Sequence, residues 1–288
     1  MRKKIKPAAI NGFITCFCLW PNRKMFDEQY LAYRFPLFKA ITLKSFQEQT
    51  DKDFNLILKH TKHLPQKYKD ALAVLEQEND FLYNVYIDDP EESFDVNNYA
   101  GYVDDVSISF IIDNDDAVPK DYIAKLRPFL QKQFAGNVLS IPQVSNIQRI
   151  KPDHYLIQDC YEMVHAVGVA YVAPRGDYKP VSALAGGDHS RMHYDNQVIL
   201  LRGCGGLRII NGRNIANELD LLDVSTKKYT GAELRKELLV AGYSDFDFKC
   251  LAVCPDRRLL QFIIKSVGFV WRRIFARNRQ PIFHRTVG

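Results

Sequence analysis

Three carboxylates follow directly on an apolar run in the middle of the chain. The run from 106 to 112 ends in Asp113, Asp115 and Asp116, and Pro119 then opens a segment of helical character. In α/β proteins the carboxyl ends of strands hold ligand sites, so this cluster is a candidate site. Carboxylate oxygens suit Mg²⁺ or Mn²⁺, which commonly bridge a protein to substrate phosphates. The cluster therefore predicts a metal–diphosphate site; the alternative is an acidic turn in which Asp116 caps the helix.

The apolar pattern around the cluster predicts an α/β fold. Strands are expected at 13–19, 54–59, 81–87 and 106–112, and helices at 31–49, 66–78 and 121–134. This alternation is typical of a mostly parallel sheet with helices on both faces. After residue 135 the pattern is less regular, with strands expected at 137–142, 155–157, 164–172 and 207–210. No linker separates the halves, so we expect one domain over 1–256.

The net charge of +5 is concentrated in the tail. Residues 257–288 carry eight Lys or Arg and no acid, which leaves 31 basic and 34 acidic side chains in the body. The body therefore gives no reason to expect nucleic acid as a partner. Leu259, Phe262, Val270 and Trp271 belong to an apolar stripe that predicts a C-terminal amphipathic helix. Such a basic helix can lie on an anionic membrane surface or pack on the domain.

The cysteines and the amino terminus bear on the compartment. The six cysteines are scattered, and buried free thiols are the expected state, which fits a reducing compartment. The basic residues near the start precede an apolar stretch without a cleavage site, so that stretch is interpreted as the first strand. No run reaches the roughly 20 apolar residues of a spanning helix. We expect a cytoplasmic protein, with the tail as a peripheral contact on the inner membrane face.

Three stretches share a pattern with one bacterial enzyme family. They are the Arg34-Phe35 element with the helix that ends in Gln49-Thr50 before Phe54, the acidic run 112–123, and the segment 207–217. Together they resemble the rhamnosyltransferases, glycosyltransferases of the GT-A (Rossmann-like) fold, over most of residues 30–220. The resemblance implies transfer of a sugar, with rhamnose indicated by the family, from a nucleotide-diphosphate donor to a glycan or glycolipid acceptor. It also implies a metal-dependent and inverting reaction.

The resemblance assigns roles to several residues. Asp113 and Asp115 would bind Mn²⁺ or Mg²⁺ with the donor diphosphate. Arg34, Asn211 and Arg213 would contact the nucleotide, although Arg34 could instead pair with an acid that holds the helix. Two positions depart from the family pattern: Phe110 and its neighbour stand where members usually carry an Arg, and Asn211 replaces a His. These departures support an alternative, a catalytically silent GT-A-like protein that binds a nucleotide sugar or a glycan.

An inverting transfer requires a base on the acceptor side of the reacting carbon. Asp188 is the candidate, because it lies downstream in a Gly-Gly-Asp-His loop whose glycines allow close approach of a substrate. A solvated loop acid is the equal alternative. Glu162 is a weaker rival for the base, because the segment 161–164 resembles the start of a buried stretch. A nucleotidyltransferase is disfavoured, because residues 21–24 lack the glycines of a phosphate loop.

Overall fold

The structure is a computed structural model that describes most of the chain up to position 253. The described residues are 6–15, 28–87, 96–179, 191–203, 205–210 and 226–251, with isolated positions at 3, 181, 184 and 253. The predicted base Asp188, the predicted nucleotide contacts Asn211 and Arg213, and the tail 257–288 lie outside these residues.

Eleven strands occur in the described residues. They are β1 (Ile10–Thr15), β2 (Asn55–Thr61), β3 (Leu82–Ile87), β4 (Val106–Ile111), β5 (Val138–Ser140), β6 (Gln143–Lys151), β7 (His154–Tyr161), β8 (Ala170–Pro174), β9 (Val198–Leu200), β10 (Gly205–Ile210) and β11 (Lys227–Thr230). The α-helices of the same residues are α1 (Glu28–Leu37), α2 (Lys44–Gln47), α3 (Gln66–Glu78), α4 (Tyr122–Leu126), α5 (Met192–Asp195) and α6 (Gly231–Val240). A π-helical segment, Phe38–Leu43, joins α1 to α2.

A seven-stranded sheet of order β3-β2-β1-β4-β8-β5-β9 forms the larger layer. The first four strands are parallel, β8 is antiparallel to β4 and β5, and β9 is parallel to β5. Helical segments contribute to the core on both faces, with α1 to α4 on one side and α5 and the Val96–Tyr99 turn on the other. The prediction of an α/β fold with a mostly parallel sheet is confirmed.

The strand order creates a switch point at β1. From β1 the chain builds β2 and β3 on one side and then returns to place β4 on the other side. At such a point the loops leave neighbouring strands in opposite directions, and the crevice between them is the usual ligand site of open α/β sheets. The acidic segment follows β4, so it borders this crevice.

The continuous helix from 28 to 47 packs against both sheets and confirms the helix predicted at 31–49. Phe38 and Phe46 belong to the core of the large sheet. Leu37 and Ile41 instead belong to a second core, which includes side chains of β6, β7, β10 and α6. This one helix therefore fixes the second sheet beside the first.

The second sheet has the strand order β10-β6-β7-β11. Of these four strands, the sequence pattern predicts only β10 and part of β7. The longest missed strand, β6, carries Gln, Ser, Asn, Gln and Arg among its nine residues. Asn146 and Gln148 are buried there beside apolar neighbours, so burial does not follow hydrophobicity. A pattern method that depends on apolar periodicity cannot detect such a strand.

Several predicted element bounds differ from the structure, among them those of two strands and one helix. The first strand begins at Ile10 rather than at 13, and the strand expected at 164–172 begins at Ala170. The helix expected at 121–134 is α4 followed by two short 3₁₀ helices. Pro128 explains the early end of α4, because proline lacks an N–H and restricts the residue before it.

Two further findings concern the cysteines and the possibility of a membrane-spanning helix. Cys160 and Cys250, the cysteines within the described residues, are free thiols as expected, but they are half-buried rather than buried. No helix in the described part of the chain is long and apolar enough to cross a membrane.

His60 is buried inside β2, whereas the apolar pattern places it at the strand end. The strand continues to Thr61, and His60 Nε2 lies 2.9 Å from Asn84 Oδ1. Burial lowers the pKa of His60 from 6.5 to about 4, with a small opposing effect of the Asn84 hydrogen bond. His60 is therefore a neutral ring that links β2 to β3 through Asn84.

We predict that acid destabilises the fold through His60. Below the pKa of 6.5 the unfolded chain binds a proton at His60, whereas the folded chain does not until about pH 4. The contribution of the neutral His60 to the free energy of unfolding is thus fully present above pH 6.5. It falls as the pH drops, by up to about 3 kcal/mol at pH 4. Urea denaturation from pH 7 to 4.5 of the parent, H60Q and the exposed-site control H63Q measures this loss. Parallel curves for the parent and H60Q would contradict the prediction.

Candidate functional site

The acidic segment after β4 is held between the two sheets. Ala117 and Leu207 exchange backbone hydrogen bonds of 2.9 and 2.8 Å, which attach the segment to the edge of β10. The side chain of Gln49 is buried on the other side, where its Nε2 donates to the Pro119 carbonyl at 2.7 Å and its Oε1 accepts from the Ile123 N–H at 2.9 Å. These bonds place the segment rigidly at the switch point.

Asp115 is buried in an ion pair with Arg34, a residue of α1. Arg34 Nη1 contacts Asp115 Oδ2, Arg34 Nη2 donates to Asp115 Oδ1 at 3.1 Å, and Nη2 also donates to Asn114 Oδ1. The side chains of Arg34 and Asp115 are only 11% and 4% exposed. Arg34 is expected either to contact the nucleotide or to pair with an acid that holds the helix. The structure shows the pairing with an acid.

The pair is electrostatically matched. Burial is the largest single effect and lowers the pKa of Arg34, but Asp115, through its charge and hydrogen bond, outweighs it together with Tyr30 and Asp113, so the pKa is raised. Burial and the nearby Asp113 raise the pKa of Asp115, while Arg34 opposes them. We assign Asp115 as ionised, because both of its oxygens accept charge-assisted hydrogen bonds from one guanidinium.

Asp113 and Asp116 have opposite environments. Asp113 is exposed. Asp116 is 1% exposed, and its Oδ1 accepts the Ile209 N–H at 3.2 Å. The expectation that Asp116 caps the following helix is wrong, because Asp116 bonds β10 and α4 begins only at Tyr122.

Asp116 is the most perturbed acid of the segment. Burial raises its pKa well above the usual range, and the charges of Asp115 and Asp113 add to the effect. Arg208 and the Ile209 N–H oppose this rise. The other oxygen, Oδ2, is buried and receives no hydrogen bond from the described residues. Asp116 is therefore assigned as a neutral acid that joins β10 to the segment.

The carboxylates of the acidic segment can be compared with the ligands that the predicted metal requires. Magnesium is commonly held by one or two carboxylates together with substrate phosphates and water. Asp113 fits this role, because it is the exposed acid of the segment. Asp115 could reach a metal only if Arg34 shared or released it. Within the described residues no three metal-ligating side chains converge.

Phe110, one of the departures from the family pattern, lies in the core. Its ring stacks on Phe46 at 5.6 Å and meets Tyr122 edge-on at 5.4 Å. It also covers Gly12 of β1, where an added Cβ would lie 2.2 Å from the ring. Position 110 therefore serves packing, and the site takes its cation from Arg34 on α1.

The structure also corrects the expectation for residues 161–164. Tyr161 and Met163 are 71% and 53% exposed, and the Glu162 side chain is 68% exposed. Only Val164 of this stretch is buried. His165, which the sequence patterns did not single out, lies under Glu162 with Nδ1 3.5 Å from Glu162 Oε2. A lone histidine in an apolar stretch carries no signal that distinguishes it from a core residue.

We predict that loss of Arg34 is costly because it leaves Asp115 buried and unpaired. Arg34→Gln should lower the free energy of unfolding by about 3–5 kcal/mol. The matched control is Arg127→Gln, since Arg127 pairs with Asp51 and Asp53 at a more exposed position and should cost less than about 1 kcal/mol. The double variant Arg34→Gln/Asp115→Asn should recover part of the loss in urea denaturation. Equal losses for the two single variants would refute the idea.

Comparisons with known proteins place this geometry in context. The model of the family described as "Putative rhamnosyl transferase" matches residues 21–177, which is just over half of the chain. No curated protein matches the chain.

Three solved structures resemble the fold at low identity. Staphylococcus aureus TarS (residues 1–349) is 10% identical with a TM-score of 0.30, over 50% of this chain and 36% of that one. The mannosyltransferase PcManGT of Pyrobaculum calidifontis, solved with GDP-Man and Mn²⁺, is 11% identical with a TM-score of 0.40, over 74% and 60%. A protein of Bacillus anthracis described as "Putative Glucose-1-Phosphate Thymidylyltransferase" is 12% identical with a TM-score of 0.36, over 84% of this chain and 98% of that one.

The chain spans less than two thirds of the length of TarS and of the mannosyltransferase. The assignment therefore rests on the family model, which covers α1, the Gln49 contact and the acidic segment. On that match, the chain belongs to the rhamnosyl transferase family, a family of glycosyltransferases, as its sequence motifs indicated.

Proposed function

We propose that the protein transfers a sugar, rhamnose by its family, from a nucleoside-diphosphate donor to a hydroxyl of a glycan or glycolipid. The observation that carries this proposal is the exposed Asp113 beside the buried Arg34–Asp115 pair, at the switch point of the sheet. A diphosphate needs cations on one side and a fixed frame on the other. Asp113 offers a carboxylate for a divalent cation, and the guanidinium of Arg34 is fixed beside it.

Each described residue has a distinct role in the proposal. Asp113 offers its carboxylate to Mg²⁺ or Mn²⁺, which when bound neutralises charge on the leaving diphosphate. Asp115 orients Arg34, whose guanidinium adds positive charge to the same edge. Charges that are held in place before the reaction stabilise developing negative charge without reorganisation. Asn211 and Arg213 are proposed to contact the nucleotide, because they follow β10 directly.

The reaction that we propose is a single displacement. The acceptor hydroxyl loses its proton to a carboxylate, its oxygen forms a bond to the anomeric carbon, and the bond from that carbon to the diphosphate oxygen breaks. The diphosphate leaves with the electron pair. Asp188 is proposed as the base, on the strength of its glycine-flanked loop.

The first prediction concerns donor binding. Asp113→Asn removes the exposed charged ligand and should weaken Mn²⁺-dependent binding of a nucleoside diphosphate by at least about tenfold, which corresponds to about 1.4 kcal/mol. Asp115→Asn should also weaken binding, with an added loss of stability because Arg34 loses its partner. Isothermal titration calorimetry with UDP, GDP and dTDP, with and without Mn²⁺, measures both. Asp70→Asn on α3 is the matched control.

That experiment also separates folding from binding. Asp113 is exposed, so its variant should unfold at the same urea concentration as the parent. Unchanged affinity in a folded Asp113→Asn protein would remove Asp113 from the site. Metal-independent binding in the parent would show that Arg34 alone supplies the cation.

The second prediction concerns the base. Loss of a positioned base typically lowers a rate by about 10²–10⁴-fold. Asp188→Asn should therefore reduce transfer by this factor at saturating acceptor and leave diphosphate affinity unchanged. Transfer within a few-fold of the parent would exclude Asp188. If the parent binds donors but neither transfers nor hydrolyses them, the alternative of a silent nucleotide-sugar-binding protein is favoured.

The tail carries a separate proposal, which comes from its sequence alone. Residues 257–288 contain eight cations beside an apolar stripe with Phe262 and Trp271, so we propose that they attach the enzyme to an anionic membrane surface. Each cation near such a surface contributes about 1 kcal/mol, and salt should weaken the attachment. Liposome flotation of the full chain and of a version ending at Asp256 measures this. Equal flotation would contradict it.

A further inference from the structure

The segment 161–165, which we name the β7 exit segment, runs along the same edge as the acidic cluster. It begins at the end of β7, where the Glu162 N–H donates to the Pro142 carbonyl at 3.1 Å. The chain then reaches the end of β4 within a few residues, because Gly168 N–H donates to the Ile111 carbonyl and Ile111 N–H donates to the Val169 carbonyl, each at 3.0 Å. Ile111 lies two positions before Asp113.

The exposed side chains of this segment form an unusual combination. Tyr161 and Met163 are 71% and 53% exposed, and between them Glu162 has a side chain that is 68% exposed. The next two residues, Val164 and His165, are buried, so the backbone is anchored while three consecutive side chains face solvent. An aromatic ring, a carboxylate and a thioether are thus exposed at three successive positions of an anchored backbone.

His165 connects this surface to the acidic cluster. Its ring is 1% exposed and lies 3.5 Å from the Glu162 carboxylate. Burial lowers the pKa of His165, and Arg208 adds to this, while Glu162 and the Pro142 carbonyl oppose it. Arg208 also acts on the pKa of Asp116, so its charge reaches both the segment and the acidic cluster. The two features therefore belong to one edge of the molecule.

We propose that Tyr161, Glu162 and Met163 bind the sugar ring of the acceptor. A pyranose has a C–H face that packs on aromatic and thioether groups, and hydroxyls that donate to a carboxylate. Tyr161 and Met163 supply the first surface, and Glu162 supplies the acceptor oxygens. His165, whose Nδ1 lies 3.5 Å from the Glu162 carboxylate, acts as a positioning residue for it. This inference rests on the proposed glycosyl transfer and adds the place where its acceptor binds.

The test uses the full chain and methyl glycosides as probes. Saturation-transfer NMR is recorded with methyl glycosides of rhamnose, glucose, galactose and N-acetylglucosamine, each with and without a nucleoside diphosphate. At least one glycoside should bind the parent, and Tyr161→Ala and Glu162→Gln should each weaken it by about tenfold or more. Matched controls on α3 are Val74→Ala, at a residue 51% exposed, and Glu78→Gln, also at an exposed position.

A second measurement separates positioning from simple destabilisation. His165→Gln should weaken glycoside binding, and the double variant His165→Gln/Glu162→Gln should bind no more weakly than Glu162→Gln alone. If His165 only stabilised the fold, its effect would add to that of Glu162→Gln. Thermal melts identify any variant that is unfolded at the assay temperature. Tyr161→Ala changes an exposed side chain and should remain folded, so its glycoside binding can be measured even if another variant unfolds.

The outcomes for the two proposals are distinguishable. Glycoside binding that is equal in the parent, Tyr161→Ala and Glu162→Gln overturns the acceptor site, as does the absence of binding of every glycoside to the parent. Loss of nucleoside-diphosphate binding in Asp113→Asn, measured separately, reports on the donor site alone. A cross-linked protein partner at Tyr161 in place of glycoside binding would assign the surface to a protein and also overturn the proposal.

Discussion

The ion pair between Arg34 and Asp115 is the interaction on which the site depends. Both groups are removed from water, and each compensates the charge of the other through two hydrogen bonds. A buried pair of this kind is weak evidence of net stability, because desolvation offsets much of the attraction. Its value lies in geometry: it joins α1 to the turn after β4 and sets the direction in which that turn displays Asp113.

The helix that carries Arg34 is itself held by two cores. Its apolar side chains divide between the large sheet and the small one, through Phe38 and Leu37 respectively. At its end Gln49 bonds the segment that follows the acids. A change at either core would therefore move Arg34 and the acidic turn together. This helix carries the first of the three stretches that resemble the family.

Three acids within four positions would repel each other if all were charged. The structure resolves this by giving them different surroundings: Asp113 is exposed, Asp115 is paired with Arg34, and burial keeps Asp116 neutral. Only Asp113 then remains to meet a cationic ligand without rearrangement.

The sequence by itself determined the α/β class, the bounds of α3, and the position of the acids after β4, because apolar periodicity and strand-end acids are local signals. It also carried the motifs that identify the family. Tertiary structure decided how the acids differ, since burial and the Arg34 contact join residues about 80 positions apart. It also decided that β6 joins a second sheet, because the buried polar residues of β6 are accommodated by pairing with the strands β7 and β10 and give no local apolar signal. The β7 exit segment follows the same rule: nothing local distinguishes the exposed Tyr161 and Met163 from core residues, and only the packing of the two sheets leaves them in solvent.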